Sequence, residues 1–211
     1  MTKRLLPLLF LLLTTAAATA ASYEEGKQYQ RIIPESPTVS TTDKIEVVEL
    51  FWYGCPHCHR FEPVIDRWLE HKPANVEFVR LPVILNEKWE IHARVYYTAE
   101  ALGVLDKTHL PLFEAIHSQR RKLDTEDSLM EFFKGFGVKE EDFRKTFHSF
   151  AVDSKVRRAR ELGRRYNISS TPSIVINGKY RTDPGMAQGQ ASETMKVVDF
   201  LVAEETRKAA R

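Results

Sequence analysis

Short apolar runs alternate with amphipathic stretches in the first half of the chain. Residues 45–53 are rich in β-branched and aromatic side chains and predict a buried strand, and residues 76–81 predict a second. Gly54 and Pro56 end the first strand, and proline is favourable at the first position of a helix. The helix predicted between the strands has one apolar face, formed by Phe61, Val64, Ile65, Trp68 and Leu69. Such a strand–helix–strand unit implies parallel pairing with a right-handed crossover.

A different pattern extends over residues 86–166, where one helix is predicted after another. The predicted helices cover residues 87–102, 111–119, 125–136, 139–150 and 154–166. Six phenylalanines recur at helical spacing and predict a core rather than a cofactor site: Phe132, Phe133, Phe136, Phe143, Phe147 and Phe150.

The strand pattern returns after Pro172. Residues 173–176 and 179–181 predict two strands, and the Asn177-Gly178 pair between them is a strong signal for a hairpin turn. Ser192 is predicted to cap a final helix. The chain is therefore predicted to be α/β, with a helical segment between two parts that contain strands.

The first twenty residues have the pattern of a secretory signal peptide. Lys3 and Arg4 precede an almost wholly apolar run over residues 5–13, and Ala18-Thr19-Ala20 fits the small-residue cleavage rule. We therefore expect cleavage after Ala20 and export of the mature protein. The apolar run is short for a membrane span, so an uncleaved N-terminal anchor is the less favoured alternative.

Charge gives no reason to expect nucleic-acid binding. The chain has 31 Lys and Arg against 29 Asp and Glu, and two of the basic residues, Lys3 and Arg4, belong to the predicted signal. The mature chain is thus neutral, and a neutral protein has no bulk electrostatic attraction for nucleic acid. The basic run over residues 157–160 interleaves with an apolar helical stripe and is predicted to be a solvated face.

Only two cysteines are present, Cys55 and Cys58. The chain is long enough to build a core without disulfide staples. A bridge that closes so short a loop constrains the unfolded chain weakly. In an exported protein, where disulfides persist, the pair is better explained by chemistry than by stability.

The surroundings of the pair favour redox chemistry. Cys55 lies at the predicted N-terminus of a helix, where unpaired N–H groups and the helix dipole favour an anion. The thiolate is the nucleophile in disulfide exchange, so a lowered pKa of Cys55 raises its reactive fraction. His57 is predicted to stabilise that thiolate further. Cys58, one turn into the helix, is predicted to be the more buried, resolving thiol.

Two other interpretations of the motif remain open from the residues alone. With His59, the sequence Cys55-Pro56-His57-Cys58 matches the C-x-x-C-H pattern of haem attachment. A C-x-x-C pair is also half of a zinc site, but the other histidines are scattered along the sequence. A redox pair is favoured over haem attachment and over a zinc site, because the motif lies between a strand and a helix and a proline precedes a later strand.

Two groups of residues resemble one protein family. The first is residues 51–58, Phe-Trp-Tyr-Gly-Cys-Pro-His-Cys, followed by Phe-Glu-Pro at 61–63. The second is Thr171-Pro172-Ser173 with Asn177-Gly178-Lys179-Tyr180 downstream. Together they resemble the DsbA family of periplasmic thiol:disulfide interchange proteins, over nearly the whole mature chain.

The resemblance implies a thioredoxin fold with an inserted all-helical domain. The expected divisions are a signal peptide over 1–20, the first thioredoxin-like part over 21–85, the helical insertion over 86–166 and the second part over 167–211. It also implies a periplasmic, monomeric dithiol oxidase without a cofactor or metal. Its expected partners are exported proteins with free cysteines and a DsbB-like membrane quinone reductase that reoxidises it.

Matching positions carry the family's expected roles. Cys55 matches the nucleophile, Cys58 the resolving cysteine and Pro172 a cis-proline beside them. Glu49, on the strand before the motif, matches a buried acid that tunes the pKa of the site. Thr171, next to the cis-proline, is expected to bind substrate.

Two departures from the family pattern stand out. Thr171 occupies a position where the family usually has valine, and threonine there resembles disulfide isomerases of the same fold. The lysine that the family pairs with the buried acid has no clear match near Pro73. A disulfide isomerase or reductase is therefore the main alternative function, although residues 21–43 are too few for the dimerisation domain of isomerases.

Overall fold

A computed structural model describes residues 22–210. The predicted signal peptide over residues 1–20 lies outside the described residues. Within residues 22–210, no helix combines the length and the apolar character that crossing a membrane requires.

A five-stranded mixed sheet forms the centre of the fold, in the order β1-β5-β4-β2-β3. Its strands are β1 Gln30–Arg31, β2 Ile45–Phe51, β3 Val76–Pro82, β4 Ser173–Ile176 and β5 Tyr180–Thr182. β2 pairs in parallel with β3, as the strand–helix–strand pattern predicted, and antiparallel with β4. β2 therefore lies inside the sheet, next to the strand that follows Pro172.

The helices are α1 Pro56–Leu69, α2 Glu90–Ala101, α3 Leu105–His117, α4 Glu126–Lys134, α5 Glu140–Phe147, α6 Phe150–Arg165 and α7 Ala191–Ala209. A 3₁₀ helix, Glu87–Trp89, precedes α2. The segment between β3 and β4 is thus helical, as the sequence predicted. The exact division of the chain at residues 86 and 166 remains a prediction.

The structure corrects the predicted start of α3. The helix begins at Leu105, and Pro111 lies inside it rather than at its first position. Both the backbone N–H and the hydroxyl of Thr108 donate to the carbonyl oxygen of Val104, so the first turn is already closed before the proline. The final helix also begins earlier than predicted, with Gln190 rather than Ser192 as its N-cap.

Each face of the sheet covers its own core, because side chains along a strand alternate between the two faces. Val47 and Ile176 pack on one side, against α1 and α7. Val48 and Leu50 pack on the other side, against the helices between β3 and β4. The N-terminus of α1, where the cysteine pair lies, closely follows the end of β2.

Candidate active site

Cys55 is the residue at which the chain passes from the sheet into α1. It is the N-cap, with an extended backbone, and Pro56 takes the first helical position. The backbone N–H of Cys55 donates to the carbonyl oxygen of Trp52 at 2.9 Å, which holds the loop between β2 and α1. Cys55 is 7% exposed and Cys58 is 0% exposed, so only Cys55 is in contact with solvent. Both are free thiols in this structure.

The surroundings of Cys55 favour its thiolate. A hydrogen bond from the Cys58 side chain is the main reason that the pKa of Cys55 is lowered from 9.0 to about 5, and burial opposes this change. The Thr171 side chain and the backbone N–H groups of Cys58 and His57 contribute in the same direction. These N–H groups belong to the first turn of α1, where such donors have no partner within the helix.

The surroundings of Cys58 favour its protonated form instead. Burial is the main reason that its pKa is raised well above 9.0, and the hydrogen bond with Cys55, the negative charge of Cys55 and that of Glu49 when it is ionised add to the increase. The two thiols of one short motif are therefore distinct: Cys55 is an accessible thiolate at neutral pH, and Cys58 is a buried, protonated thiol. This is the asymmetry predicted from their positions on the helix.

The loop before β4 lies against Cys55. The Thr171-Pro172 peptide bond is cis, as predicted. The sulfur of Cys55 lies 3.4 Å from the backbone oxygen of Thr171. Pro172 is buried and Thr171 is partly exposed.

His57 lies on the exposed side of the motif. Its Nδ1 is 3.0 Å from an Nη2 of Arg60, and because a guanidinium only donates, this nitrogen accepts. The contribution of His57 to the low pKa of Cys55 in this geometry comes from its backbone N–H. A role for its imidazole remains a prediction. His59 instead pairs with Glu114, at 2.9 Å, and stacks on His117.

Glu49 is fully buried near the motif, as expected of the buried acid. Burial, followed by the charge of Glu62, raises its pKa well above 4.5, while Arg80 opposes the increase. Its Oε2 accepts from Nε of Arg80 at 3.2 Å, and its Oε1 has no hydrogen-bond partner within residues 22–210.

The lysine that the family pairs with the buried acid has no match near Pro73, and Arg80 provides a cation beside Glu49 instead. Arg80 lies on β3 directly opposite Glu49 in the parallel register, and its Nη2 also donates to Glu62 at 2.9 Å. The missing partner is thus an arginine on the neighbouring strand. Setting the two predicted strands in parallel register would have found it.

Glu62 and His109 also belong to the site, and neither was predicted to do so. Glu62 is four residues after Cys58 on α1 and is buried. His109 on α3 is 3.2 Å from Glu62 and 2.8 Å from the hydroxyl of Tyr53. The spacing of Glu62 from Cys58 was a usable signal, whereas the position of His109 depends on how α3 packs and has no signal in the sequence.

The site combines an accessible thiolate at a helix N-terminus with a buried thiol one turn later, and a cis-proline loop leads into the adjacent strand. This combination defines a thiol–disulfide oxidoreductase. Such a site exchanges disulfides through the thiolate, and the two sulfurs carry the electrons themselves.

Comparisons with known proteins agree with this class. The family model of the DSBA-like thioredoxin domain matches residues 81–196, a range that begins after the cysteine pair. The chain is 45% identical over 195 residues to the thiol:disulfide interchange protein DsbA of Pseudomonas aeruginosa, covering 92% of this chain and 91% of that protein. Its identity to the protein of the same name from Pseudomonas syringae is 41% over 196 residues, with 93% and 90% coverage.

A solved structure extends the agreement to the fold. The crystal structure of Pseudomonas aeruginosa DsbA matches with a TM-score of 0.84 and 43% identity, covering 90% of this chain and 97% of that one. The chain belongs to the DsbA family of thiol:disulfide interchange proteins. The predicted thioredoxin fold with an inserted all-helical domain and the predicted oxidoreductase activity are thereby confirmed.

Proposed function

We propose that the chain donates its Cys55–Cys58 disulfide to exported proteins through a mixed disulfide at Cys55. A substrate thiolate attacks the sulfur of Cys55, the Cys55–Cys58 bond breaks, and Cys58 leaves and takes up a proton. A second substrate thiolate then attacks the substrate sulfur of the mixed disulfide and releases the Cys55 thiolate. The substrate loses two electrons to the protein, which ends as the dithiol.

The contrast between the two thiols is the observation that carries this proposal. The leaving group of the second step is Cys55, and a thiol of low pKa leaves more readily. The competing reverse step is attack by Cys58, and its raised pKa keeps it protonated and unreactive. The pair therefore favours passing the disulfide on to the substrate over taking it back.

Glu49 has the position and protonation state to assist the first step. Its raised pKa favours the carboxylic acid form, and its charge, when it is ionised, acts on Cys58. We assign it the role of proton donor to Cys58 as that sulfur leaves. The proton returns from solvent in each cycle, so the step is balanced.

Thr171 and Pro172 are assigned to substrate binding. The backbone oxygen of Thr171 lies 3.4 Å from the Cys55 sulfur, and an extended peptide that pairs with this backbone would have its cysteine beside Cys55. The proline offers no N–H of its own, so the pairing would go through Thr171.

The location and the partners follow from the signal-like N-terminus and from the family. We propose that the mature chain works in the periplasm as a monomer, on exported proteins with free cysteines. Reoxidation requires an acceptor for two electrons, which we assign to a DsbB-like membrane quinone reductase. Export with cleavage after Ala20 is testable by determining the N-terminus of the mature protein.

Trapping of the intermediate tests the assignment of the two cysteines. Cys58→Ser is expected to accumulate a mixed disulfide with a peptide whose cysteine is supplied as a disulfide with a small thiol: the Cys55 thiolate attacks the peptide sulfur, the small thiol leaves, and the thiol that would resolve the product is gone. Cys55→Ser is the matched control and is expected to form none, since Cys58 is fully buried. A mixed disulfide with Cys55→Ser, or none with Cys58→Ser, would overturn the assignment.

A further inference from the structure

His109 connects the helices inserted after β3 to the active site through two buried hydrogen bonds. It lies on α3 and is 6% exposed. Its Nδ1 is 2.8 Å from the hydroxyl of Tyr53, which lies two residues before Cys55. Its Nε2 is 3.2 Å from Oε1 of Glu62, which lies one turn after Cys58 on α1. The imidazole therefore bridges the two segments that flank the cysteine pair.

The partners of His109 determine where its proton lies. Burial raises the pKa of Tyr53 well above 10.0, so its phenol keeps the proton and donates to Nδ1 of His109. Nε2 then carries the N–H of the neutral ring and donates to Glu62. Burial also lowers the pKa of His109, which agrees with a neutral imidazole.

Glu62 and Glu49 share Arg80 as a cation. Arg80 donates to both carboxylates, at 2.9 Å and 3.2 Å, and both are almost completely buried. Two buried carboxylates close to one cation do not both ionise at low cost, so one of them keeps a proton. The hydrogen bond from His109 is available to Glu62, whereas Oε1 of Glu49 has no partner within residues 22–210.

We propose that His109 is a positioning residue whose N–H assigns the negative charge of this pair to Glu62 and so leaves Glu49 as a neutral acid near Cys58. The inference rests on the proposed function, because it concerns the proton that Glu49 supplies there. Burial opposes the ionisation of Glu62, but the hydrogen bond from His109 and the charge of Arg80 lower its pKa. The pKa of Glu49 is instead raised, as the proposal requires.

The charge on Glu49 matters for the disulfide because it acts on the thiols. A neutral Glu49 has a proton to give to Cys58 and adds no negative charge beside it. An ionised Glu49 would also repel the thiolate of Cys55 in the reduced site. Without the His109 N–H, the proton would move to Glu62 and the charge to Glu49. The reduced form would then lose stability, and the disulfide would become a weaker oxidant.

Other charged and titratable groups also act on Glu49. Cys58, Glu62 and Asp66 lie on α1. The others are Arg80 on β3, Tyr96 on α2 and Tyr53 in the loop after β2. A cavity of about 190 Å³ lined by Arg80, Tyr96 and His109 lies beside this network. It gives the network a place to exchange protons with solvent.

The equilibrium constant of the disulfide against glutathione tests the proposal in the full-length mature protein. His109→Leu removes the N–H and is expected to weaken the oxidant roughly tenfold, the equivalent of about one pKa unit. His109→Gln keeps an amide N–H for Glu62 and is expected to stay within about twofold of the unchanged protein. The buried control is His92→Leu, since His92 is also 6% exposed but donates to Leu123. It is expected to leave the constant unchanged.

A second variant shows whether His109 acts through Glu62. Glu62→Gln is expected to shift the constant in the same direction as His109→Leu, and adding His109→Leu to it should then have no further effect. Additive effects would contradict the proposal, as would equal constants for His109→Leu and His109→Gln. If His109→Leu does not fold, His109→Met, which also lacks an N–H donor, replaces it in both comparisons. Trapping at Cys55 tests the proposed function separately, because it does not depend on the value of this constant.

A carboxyl titration gives an independent measurement. Isotope-labelled glutamate followed by nuclear magnetic resonance is expected to show Glu49 protonated at neutral pH and Glu62 ionised, with the order reversed in His109→Leu. A merely structural role for His109 would lower stability without exchanging the two titrations. Ionised Glu49 in the unchanged protein would overturn the proposal.

Discussion

At the scale of single residues, the chemistry depends on the difference between two thiols that are three positions apart. Cys55 lies at the end of α1 where N–H groups are unpaired, and its pKa is lowered to about 5. Cys58 is one turn deeper, and burial raises its pKa. The same helix thus provides a stabilised anion at its N-cap and a buried, neutral thiol within it.

The hydroxyl of Thr171 is predicted to contribute to the low pKa of Cys55. Thr171→Val removes the hydroxyl at nearly constant volume and is expected to raise that pKa from about 5, by about one unit for the loss of one hydrogen bond to a charged group. Thiolate ultraviolet absorbance measured against pH reports the midpoint. Thr171→Ser keeps the hydroxyl and serves as the control. An unchanged midpoint in Thr171→Val would show that only the backbone of Thr171 matters.

The sequence was sufficient for the residues whose role follows from their position in an element. Cys55 and Cys58 were predicted from a strand end and a helix start, whereas the cis-proline role of Pro172 came from the family resemblance. Arg80 was missed because its role depends on strand register rather than on a motif. His109 was missed because a contact between α3 and α1 depends on tertiary packing, for which local sequence carries no signal.

At the scale of elements, periodicity predicted the strands more closely than the helices. The prediction of β4 at residues 173–176 was confirmed, because β-branched residues lie between a proline and an Asn-Gly turn. The start of α3 was wrong because Pro111 was taken as a first helical residue. A proline inside a helix removes one hydrogen bond, and here the apolar contacts of Leu112 and Phe113 in the core offset that loss.

The hairpin between β4 and β5 provides a test of the fold. Gly178 has a φ of +65°, and a Cβ there would lie 2.0 Å from the backbone oxygen of Ser36. Gly178→Ala is therefore expected to lower the free energy of unfolding by more than about 2 kcal/mol, since the clash adds to the cost of positive φ. Chemical denaturation measures the change.

Gly103→Ala is the matched control for this experiment. Gly103 has a φ of +68°, but no atom lies within 4 Å of the position that the alanine methyl would take. Only the conformational cost of about 1 kcal/mol therefore applies. Equal losses for the two variants would mean that the hairpin does not pack against Ser36 as described.

At the scale of the whole molecule, the thiolate of Cys55 couples the redox state to stability. A thiol whose pKa is lower when folded adds stability that is complete above its unfolded pKa, 9.0, and is lost as pH falls through about 5. At pH 7 this amounts to about 3 kcal/mol for the reduced form. Closing the small loop between the cysteines stabilises the oxidised form by only about 2 kcal/mol.

The reduced protein is therefore expected to be the more stable form at pH 7 and to lose that advantage by pH 5. Denaturant curves with and without reductant at both pH values measure the difference. Reduced Cys55→Ala, which lacks the thiolate, should not show the same dependence on pH. An oxidised form that is more stable at every pH would contradict the account and favour a structural bridge.

The equilibrium between the Cys55–Cys58 pair and glutathione measures whether the low pKa of Cys55 makes the disulfide an oxidant. A nucleophilic cysteine with a pKa of about 7 accompanies a potential of about −270 mV in thioredoxin. With a pKa of about 5, the thiolate of Cys55 gains about 2 kcal/mol more at pH 7, which is equivalent to about 50 mV. The expected potential is about −220 mV or more positive, as a disulfide donor requires. A value at or below about −270 mV would contradict it, because the pair would then act as a reductant.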